Sequence, residues 1–364
     1  MKNSINKIES EFKLIKSWNL THKQKVFIYY PENEGELKKI LKYIKKNKKT
    51  FIIKTGSCSY DGKSIAPKNS NIVISLKNFN KLTGINKKKN TANVQAGTKI
   101  VDLLFDLKKE NLSMFSIPGG VHITVGGAIS ANVIGKDSSK NFGSFGDSVK
   151  SLKVMMHNGI IKNFKSNSKN FSQFIGSFGF FGIILSAEIK LKKIESQNLI
   201  LICRKINSYS ELQIFLNKKV AYKYVQIDPF LRKSNLGIFF YANFIKEENN
   251  IHKIKNFNIY FFEIIFFKLF AILNTQFSWK IFNKLLFFLN TSKSKKIDIH
   301  NFFYSSKYKD MVPYLCKDGH LEYEILVKGN LIKILKKFKE LFSTYKFYPY
   351  YIIIKKLYKS QKNY

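Results

Sequence analysis

Three glycine-rich segments, each beside a short β-rich run, constrain the fold of this chain more than any other feature. They cover residues 55–62 (TGSCSYDG), 117–128 (IPGGVHITVGGA) and 176–184 (GSFGFFGII). Glycine permits positive φ and a close approach of the backbone to a ligand, so that amides can point at phosphate oxygens. One such turn is weak evidence, because turns need glycine anyway. Three in this order, with small hydroxyl residues beside them, predict a groove for an extended dinucleotide.

Short β-rich runs alternate with helical runs as far as Ile194. Apolar residues at helical spacing predict a helix over residues 33–46, and Thr98 is expected to cap a second helix that runs through Leu107. The layout is α+β, and it lacks the single βαβ glycine fingerprint of a Rossmann domain. The predicted strands are residues 26–30, 50–54, 72–75, 91–95, 149–156 and 185–191.

Composition excludes several classes of protein. With 45% hydrophobic and 15% aromatic residues, the chain is not of the disordered class. The formal charge of +39 raises the question of nucleic acid, but the lysines are scattered through every segment and no nucleic-acid-binding motif accompanies them. Nucleic acid is therefore not an expected partner, whereas phosphates and acidic lipid headgroups suit so basic a surface. Three widely spaced cysteines and six isolated histidines predict neither disulfides nor a metal site.

The N-terminus is polar and lacks the apolar core of a signal peptide, which predicts a cytoplasmic protein. Residues 259–290 are rich in Phe, Ile and Leu but are interrupted by charged residues, so a spanning helix is not expected. Two interpretations stay open. Amphipathic helices could rest on the inner membrane surface with Trp279 near the headgroups, or the same helices could pack on the protein's own core.

The glycine segments resemble those of the FAD-linked oxidases with the vanillyl-alcohol-oxidase (PCMH-type) fold. The runs TVGGAISANVIGK and GSFGDSVKSL particularly resemble the decaprenylphosphoryl-ribose 2′-oxidases of that family. Looser similarity continues through YKYVQIDPFLRKSNLG, IHNFFY, KDGHLEYEILV and YIIIKKLYKS. The last three of these segments resemble later strands of the family's substrate domain. The resemblance implies a PCMH-type FAD-binding domain of two α/β subdomains over residues 1–195. A substrate domain built on an antiparallel sheet with helices would follow over residues 196–364.

The resemblance also implies which residues contact FAD. Family members that tether FAD covalently often use a histidine at the position of Cys58, so the resemblance implies a non-covalent flavin. The first segment would hold the pyrophosphate, the second would line the pyrophosphate and the flavin ring, and the third would lie along the adenosine. The implied contacts are Thr55, Gly56, Ser57, Cys58, Ser59, Tyr60, Pro118, Gly119, Thr124, Val125, Gly126, Gly127, Ala128, Gly179, Gly182 and Ile184.

Catalysis at a flavin requires a base near the substrate hydroxyl. The candidates are Tyr60, Lys136, Lys355 and the pair Glu322 and Glu324. Lys136 matches a lysine of the family beside the flavin, and Lys355 matches one near the substrate. Glu322 and Glu324 stand where the family has two glutamines, which would suit a polyhydroxyl substrate; on a strand they would share one face. Two exposed carboxylates are the alternative interpretation.

The implied function is oxidation of a secondary hydroxyl of a sugar or a lipid-linked sugar in envelope polysaccharide synthesis, with a reductase partner completing an epimerisation. One alternative is an aldonolactone or alditol oxidase of the same fold. Another is a catalytically inactive flavin-binding fragment associated with membranes, because the family's chains continue beyond the strand that resembles YIIIK and this sequence ends at Tyr364.

Overall fold

Three β-sheets organise the computed structural model, and the strands of the third begin only at Asn198. The structure describes residues 5, 7–59, 65, 71–120, 122–135, 142–232, 235–245, 265, 268–269, 275–290, 294–303, 323, 325–346, 349 and 352–356.

The first sheet joins a hairpin to a parallel unit, in the order β1-β2-β4-β3. Its strands are β1 (Ser10–Lys16), β2 (Lys23–Tyr29), β3 (Phe51–Lys54) and β4 (Ile72–Ser75). β1 and β2 are antiparallel, whereas β2, β3 and β4 run parallel. The crossover from β2 to β3 contains helix α1 (Glu34–Lys46), where the Asn33 side chain accepts the Glu36 N–H at 3.0 Å as an N-cap. The carboxyl end of β3 therefore leads directly into the first glycine segment.

The second sheet is antiparallel and is organised around its longest strand, β10. The order is β5-β6-β10-β8-β9, and β7 also pairs with β10. Its strands are β5 (Leu82–Asn86), β6 (Thr91–Gln95), β7 (Leu112–Met114), β8 (Val149–Met155), β9 (Ile161–Lys165) and β10 (Ile183–Lys193). Helix α2 (Ile100–Lys109) precedes β7, and the short helix α3 (Val125–Ser130) begins within the second glycine segment, before β8. The third glycine segment ends where β10 begins.

The third sheet is antiparallel, in the order β14-β11-β13-β12-β15. Its strands are β11 (Asn198–Ile206), β12 (Tyr222–Arg232), β13 (Asn235–Phe244), β14 (Ser294–Asp298) and β15 (Ile352–Ile354). The accompanying helices are α4 (Tyr209–Asn217), α5 (Gln276–Asn290), α6 (Ile299–Phe303) and α7 (Leu331–Thr344). Leu212 of α4 and Leu335 of α7 join Val225 and Phe239 in the core on one face. Phe287 of α5 packs on the opposite face.

A buried ion pair connects α2 to the third sheet. The Lys108 ammonium contacts the Asp298 carboxylate at the end of β14, and these side chains are 7% and 2% exposed. His300 donates to the same carboxylate from Nδ1 at 2.8 Å and from its backbone N–H at 2.9 Å. The surrounding apolar cluster runs from Leu107 to Phe303 without interruption, so the elements on either side of residue 195 share one core.

Most of the sequence predictions for the first two sheets are confirmed. Strands lie at residues 72–75 and 91–95 as predicted, and α1 buries the expected apolar stripe. The prediction that Thr98 caps the second helix is wrong. Helix α2 begins at Ile100 with Lys99 in the cap position, because Thr98 lies in the preceding turn, where its carbonyl accepts the Val125 N–H at 2.9 Å.

Two later segments differ from the expected strands. Residues 299–303 of the IHNFFY segment form helix α6, whose first turn is stabilised by the Asp298 side chain accepting the His300 N–H. In the KDGHLEYEILV segment, Tyr323 and residues 325–327 lie in no strand and are exposed, and no described strand pairs with them. The predicted strand is therefore wrong for Tyr323 and residues 325–327. None of the helices in the described ranges combines the length and hydrophobicity needed to cross a bilayer.

Candidate functional site

The first and second glycine segments are in direct contact. The Thr124 hydroxyl donates to the Thr55 hydroxyl at 2.7 Å across 69 residues of sequence. A Cβ added at Gly56 would lie 2.3 Å from the His122 carbonyl oxygen and 3.1 Å from Thr124 Cγ2, so only glycine permits this approach. The two segments therefore pack backbone against backbone.

Main-chain hydrogen bonds join the third segment to α3, the helix that begins in the second segment. The Gly176 N–H donates to the Ile129 carbonyl at 3.1 Å, and the Phe178 N–H donates to the Ser130 carbonyl at 2.9 Å. Phe178 itself has a positive φ of 53°. Because Ile129 and Ser130 belong to α3, all three glycine segments converge on this one short helix, as the sequence predicted.

Helix α3 packs on the second sheet. Its N-cap is Thr124, whose side chain accepts the Gly127 N–H at 3.3 Å. The Gly126 N–H donates to the Ala96 carbonyl at 2.8 Å, and a Cβ at Gly126 would lie 2.8 Å from Ala96 Cβ. The helix therefore lies directly on the end of β6.

The implied FAD contacts differ in accessibility. Thr55, Gly56, Cys58, Ser59, Gly127, Gly179 and Gly182 are partly accessible, and Ser57 and Gly119 are exposed. Pro118, Thr124, Val125, Gly126, Ala128 and Ile184 are buried. Val125 and Ala128 have no accessible surface at all, so they shape α3 from within the core.

The described residues of the three segments fit a dinucleotide. Their backbones meet at α3, and within residues 55–59, 122–128 and 176–184 no side chain is acidic. A phosphate there would meet hydroxyls and main-chain amides without a repelling carboxylate. Lys54, at the end of β3, adds a cation beside the first segment. Burial lowers the pKa of Lys54 from its ordinary value, and the charge of Lys13 lowers it further.

Lys355 connects the third sheet to the region beside α3. It directly follows β15, and its Nζ donates to the Ile134 carbonyl at 3.2 Å, just past α3. In the antiparallel register, Gln226 pairs with Ile353 and with Ile238, so these side chains share one face. Lys355 belongs to that face by alternation. We call it the site face of the third sheet.

The site face includes residues that the sequence reasoning missed. Tyr224 pairs with Phe240, on which its ring stacks at 4.8 Å, and Gln226 follows two positions later; both are partly accessible. The alternation within β12, where Val225 and Ile227 are fully buried on the other face, is the sequence signal that could have found them. Four predicted catalytic residues, Tyr60, Lys136, Glu322 and Glu324, lie outside the described residues.

Two solved structures superpose on this chain at low sequence identity and show its fold. Cholesterol oxidase from Brevibacterium sterolicum superposes with a TM-score of 0.64 at 12% identity, over 78% of this chain and 58% of that chain. An alkyldihydroxyacetonephosphate synthase superposes with a TM-score of 0.52 at 16% identity, over 60% of this chain and 48% of that chain. The fold is that of the PCMH-type FAD-binding oxidases.

Sequence comparison finds an FAD binding domain in the first half of the chain. Residues 26–165 match the model of the FAD binding domain family. The decaprenylphosphoryl-β-D-ribose oxidase of Mycolicibacterium smegmatis is 30% identical over 128 residues, which are 34% of this chain and 28% of that protein. The mitochondrial D-lactate dehydrogenase (cytochrome) of Arabidopsis thaliana is 25% identical over 183 residues, which are 48% of this chain and 32% of that protein. Residues 26–165 are therefore similar to the FAD binding domain of FAD-linked oxidases, and this similarity points to FAD as the cofactor. The matched segments span about a third of the length of these curated relatives.

Proposed function

We propose that the chain is an FAD-dependent oxidoreductase that oxidises a secondary hydroxyl group of a sugar or a lipid-linked sugar. One observation carries the proposal. The three glycine segments converge on α3, and Lys355 of the third sheet reaches the carbonyl of Ile134 beside that helix. The glycine segments and the polar face of the third sheet thus lie next to each other, which supports an active site at this place.

Bound FAD would supply the oxidising chemistry, as an acceptor of hydride. The chain's own residues would bind it, orient the substrate and handle the hydroxyl proton. The implied contacts from Thr55 to Tyr60, from Pro118 to Ala128, and at Gly179, Gly182 and Ile184 are proposed to hold FAD non-covalently. Thr124 acts within this set by joining the first segment to α3 through its hydroxyl.

Lys355 is proposed to orient the substrate with its positive charge. Its hydrogen bond to a carbonyl is one that an ammonium makes well, and this bond holds Nζ beside the segment that leads to Lys136. Tyr224 and Gln226 on the site face are the proposed substrate contacts, with an aromatic surface for a sugar ring and an amide for its hydroxyls. Tyr60, Lys136, Glu322 and Glu324 complete the proposed set of catalytic groups. A reductase partner would complete an epimerisation by reducing the ketone that this oxidation produces.

A D-2-hydroxy acid is the second candidate substrate. Lys355 supplies a cation that would pair with a carboxylate as readily as it would contact a sugar. Two of the matched relatives are D-lactate dehydrogenases, from Arabidopsis thaliana and Anaerostipes hadrus.

Anaerobic reduction of the bound flavin distinguishes these candidates. The purified protein is mixed without oxygen with prenylphosphoryl sugars, aldonolactones, alditols or D-2-hydroxy acids, and the flavin absorbance is followed by stopped flow. Bleaching by the sugars supports the proposal, and bleaching by D-lactate alone moves the assignment to the second candidate.

Lys355→Met should slow the reduction by about 100-fold, as expected for a group near the reacting hydroxyl. Lys356→Met is the matched control, because Lys356 is exposed and bonds Asn217 at 2.6 Å. A flavin that no member of the panel reduces would refute the enzyme assignment and favour an inactive flavin-binding protein.

A further inference from the structure

Helix α5 exposes three large apolar side chains along one stripe. Phe277, Ile281 and Phe288 are 71%, 51% and 77% exposed. Their spacing of four and seven residues places them on one side of an α-helix, since seven residues make almost two complete turns. We call these three residues the apolar stripe. Contiguous exposed apolar groups of this kind are a feature of interaction surfaces.

The apolar stripe is not the side of α5 that packs on the protein. Phe287 is 1% exposed and packs on Cys203, Ile238 and Phe240 of the third sheet, and Asn283 is also 1% exposed. The helix is therefore held on the sheet by one side while the stripe faces outward. Packing on the protein's own core is thus confirmed for helix α5, through Phe287, whereas contact with a membrane surface stays a prediction. Residues 259–264, 266–267 and 270–274 of the same segment lie outside the described ranges.

Positive charge borders the apolar stripe. Lys280 and Lys284 are exposed, and Lys284 lies between Ile281 and Phe288 on the same side of the helix. Two further exposed lysines, Lys295 and Lys296, begin the edge strand β14 just beyond the helix. No acidic residue occurs from residue 276 to residue 297. Apolar side chains among lysines match the interface of an anionic bilayer, where rings and aliphatic groups enter the acyl boundary and ammonium groups meet phosphates.

We propose that α5 docks this protein on the surface of an anionic lipid bilayer through the apolar stripe, with Lys280 and Lys284 on the headgroups. A second copy of the chain fits this surface less well, because a two-fold interface would bring the lysines of one copy against those of the other. The helix packs on the site face of the third sheet, which also carries Lys355. Docking would therefore bring that face close to the lipid surface. If the substrate is a lipid-linked sugar, which rests on the proposed function, docking would also place the sugar headgroup of that lipid within reach of the site.

Vesicle sedimentation of the full chain tests the proposal. Vesicles of phosphatidylcholine alone are compared with vesicles that also contain phosphatidylglycerol. The stripe variant is Phe277→Gln, Ile281→Gln and Phe288→Gln together. Its matched control, Phe12→Gln with Leu14→Gln and Ile214→Gln, removes three apolar side chains of similar exposure (59%, 50% and 66%) from other elements.

The charge contribution is tested separately. Lys280→Gln with Lys284→Gln is compared with Lys39→Gln and Lys42→Gln, a pair of exposed lysines on α1. We expect wild-type protein and both controls to sediment with the anionic vesicles. The stripe variant should lose at least tenfold in partition coefficient, and the Lys280/Lys284 variant about fivefold per lysine. Bound flavin and the melting temperature are measured on each variant, to show that it is folded.

Several outcomes would overturn docking. These are a wild-type chain that stays in the supernatant, a stripe variant that sediments as well as its control, and controls that lose as much as the variants. The last would mean that the general charge of the protein, and not α5, drives binding. A stripe variant that becomes monomeric while the wild type is dimeric without vesicles would assign the surface to self-association. A chain that sediments with vesicles but binds no flavin would refute the proposed function and leave docking intact.

Discussion

Replacing Gly56 by alanine should weaken FAD binding by a calculable amount, because this glycine lies where the first and second segments touch. The new Cβ would lie 2.3 Å from the carbonyl oxygen of His122, and contacts below 3.0 Å essentially do not occur. The two backbones must therefore separate by about 0.7 Å, and a flexible side chain cannot absorb this, because the obstructing atom belongs to the main chain. Overpacking of this kind costs roughly 1–3 kcal/mol. If that cost falls on the conformation that binds FAD, the dissociation constant rises by roughly 5- to 150-fold.

The assay is a titration of the flavin-free protein with FAD, followed by quenching of flavin fluorescence. Gly84→Ala is the matched control, because a Cβ at Gly84 would meet no atom within 4 Å and its φ is not positive. The control should bind FAD as the wild type does. If Gly56→Ala keeps an affinity within twofold of the wild type, then contact between the first two segments does not shape the FAD site, and the convergence argument is refuted.

Two further perturbations test the packing around the site. Thr124→Val removes the hydroxyl that donates to Thr55 and caps Gly127, so it should cost about 1–2 kcal/mol and weaken FAD binding in the same titration, whereas Thr124→Ser should retain most of the affinity. Asp298→Asn leaves Lys108 buried without its countercharge and should lower the free energy of unfolding by roughly 3–5 kcal/mol in urea titrations; a loss below 1 kcal/mol would contradict the buried pair. Burial alone would raise the pKa of Asp298, but hydrogen bonds from His300 and Lys108 outweigh it and hold that pKa below its ordinary value. The stability that this carboxylate contributes is therefore fully present above about pH 4 and is lost as pH falls through the lowered pKa, so the difference between wild type and Asp298→Asn should shrink only in acid.

The sequence by itself determined the elements of the flavin domain and the positions of its glycine turns. Local apolar patterns predicted these elements, because β4 is a continuous buried run, while β6 and α1 each bury one stripe. The glycine segments were likewise recognisable from the sequence alone, because glycine marks places where the backbone turns sharply or closely approaches other atoms.

Only the tertiary structure decided which groups meet. Thr55 and Thr124 are 69 residues apart, and Lys355 and Ile134 are 221 residues apart, so no local pattern could pair them. Which residues form the site face depends on the register of β12 against β13 and β15. A shift of one residue would turn the Gln226 side chain into the core on the other side of the sheet. Likewise, the apolar pattern of α5 could not show which residues pack on the sheet, because Phe287 and Phe288 are alike in sequence and are separated only by the surface that each one meets.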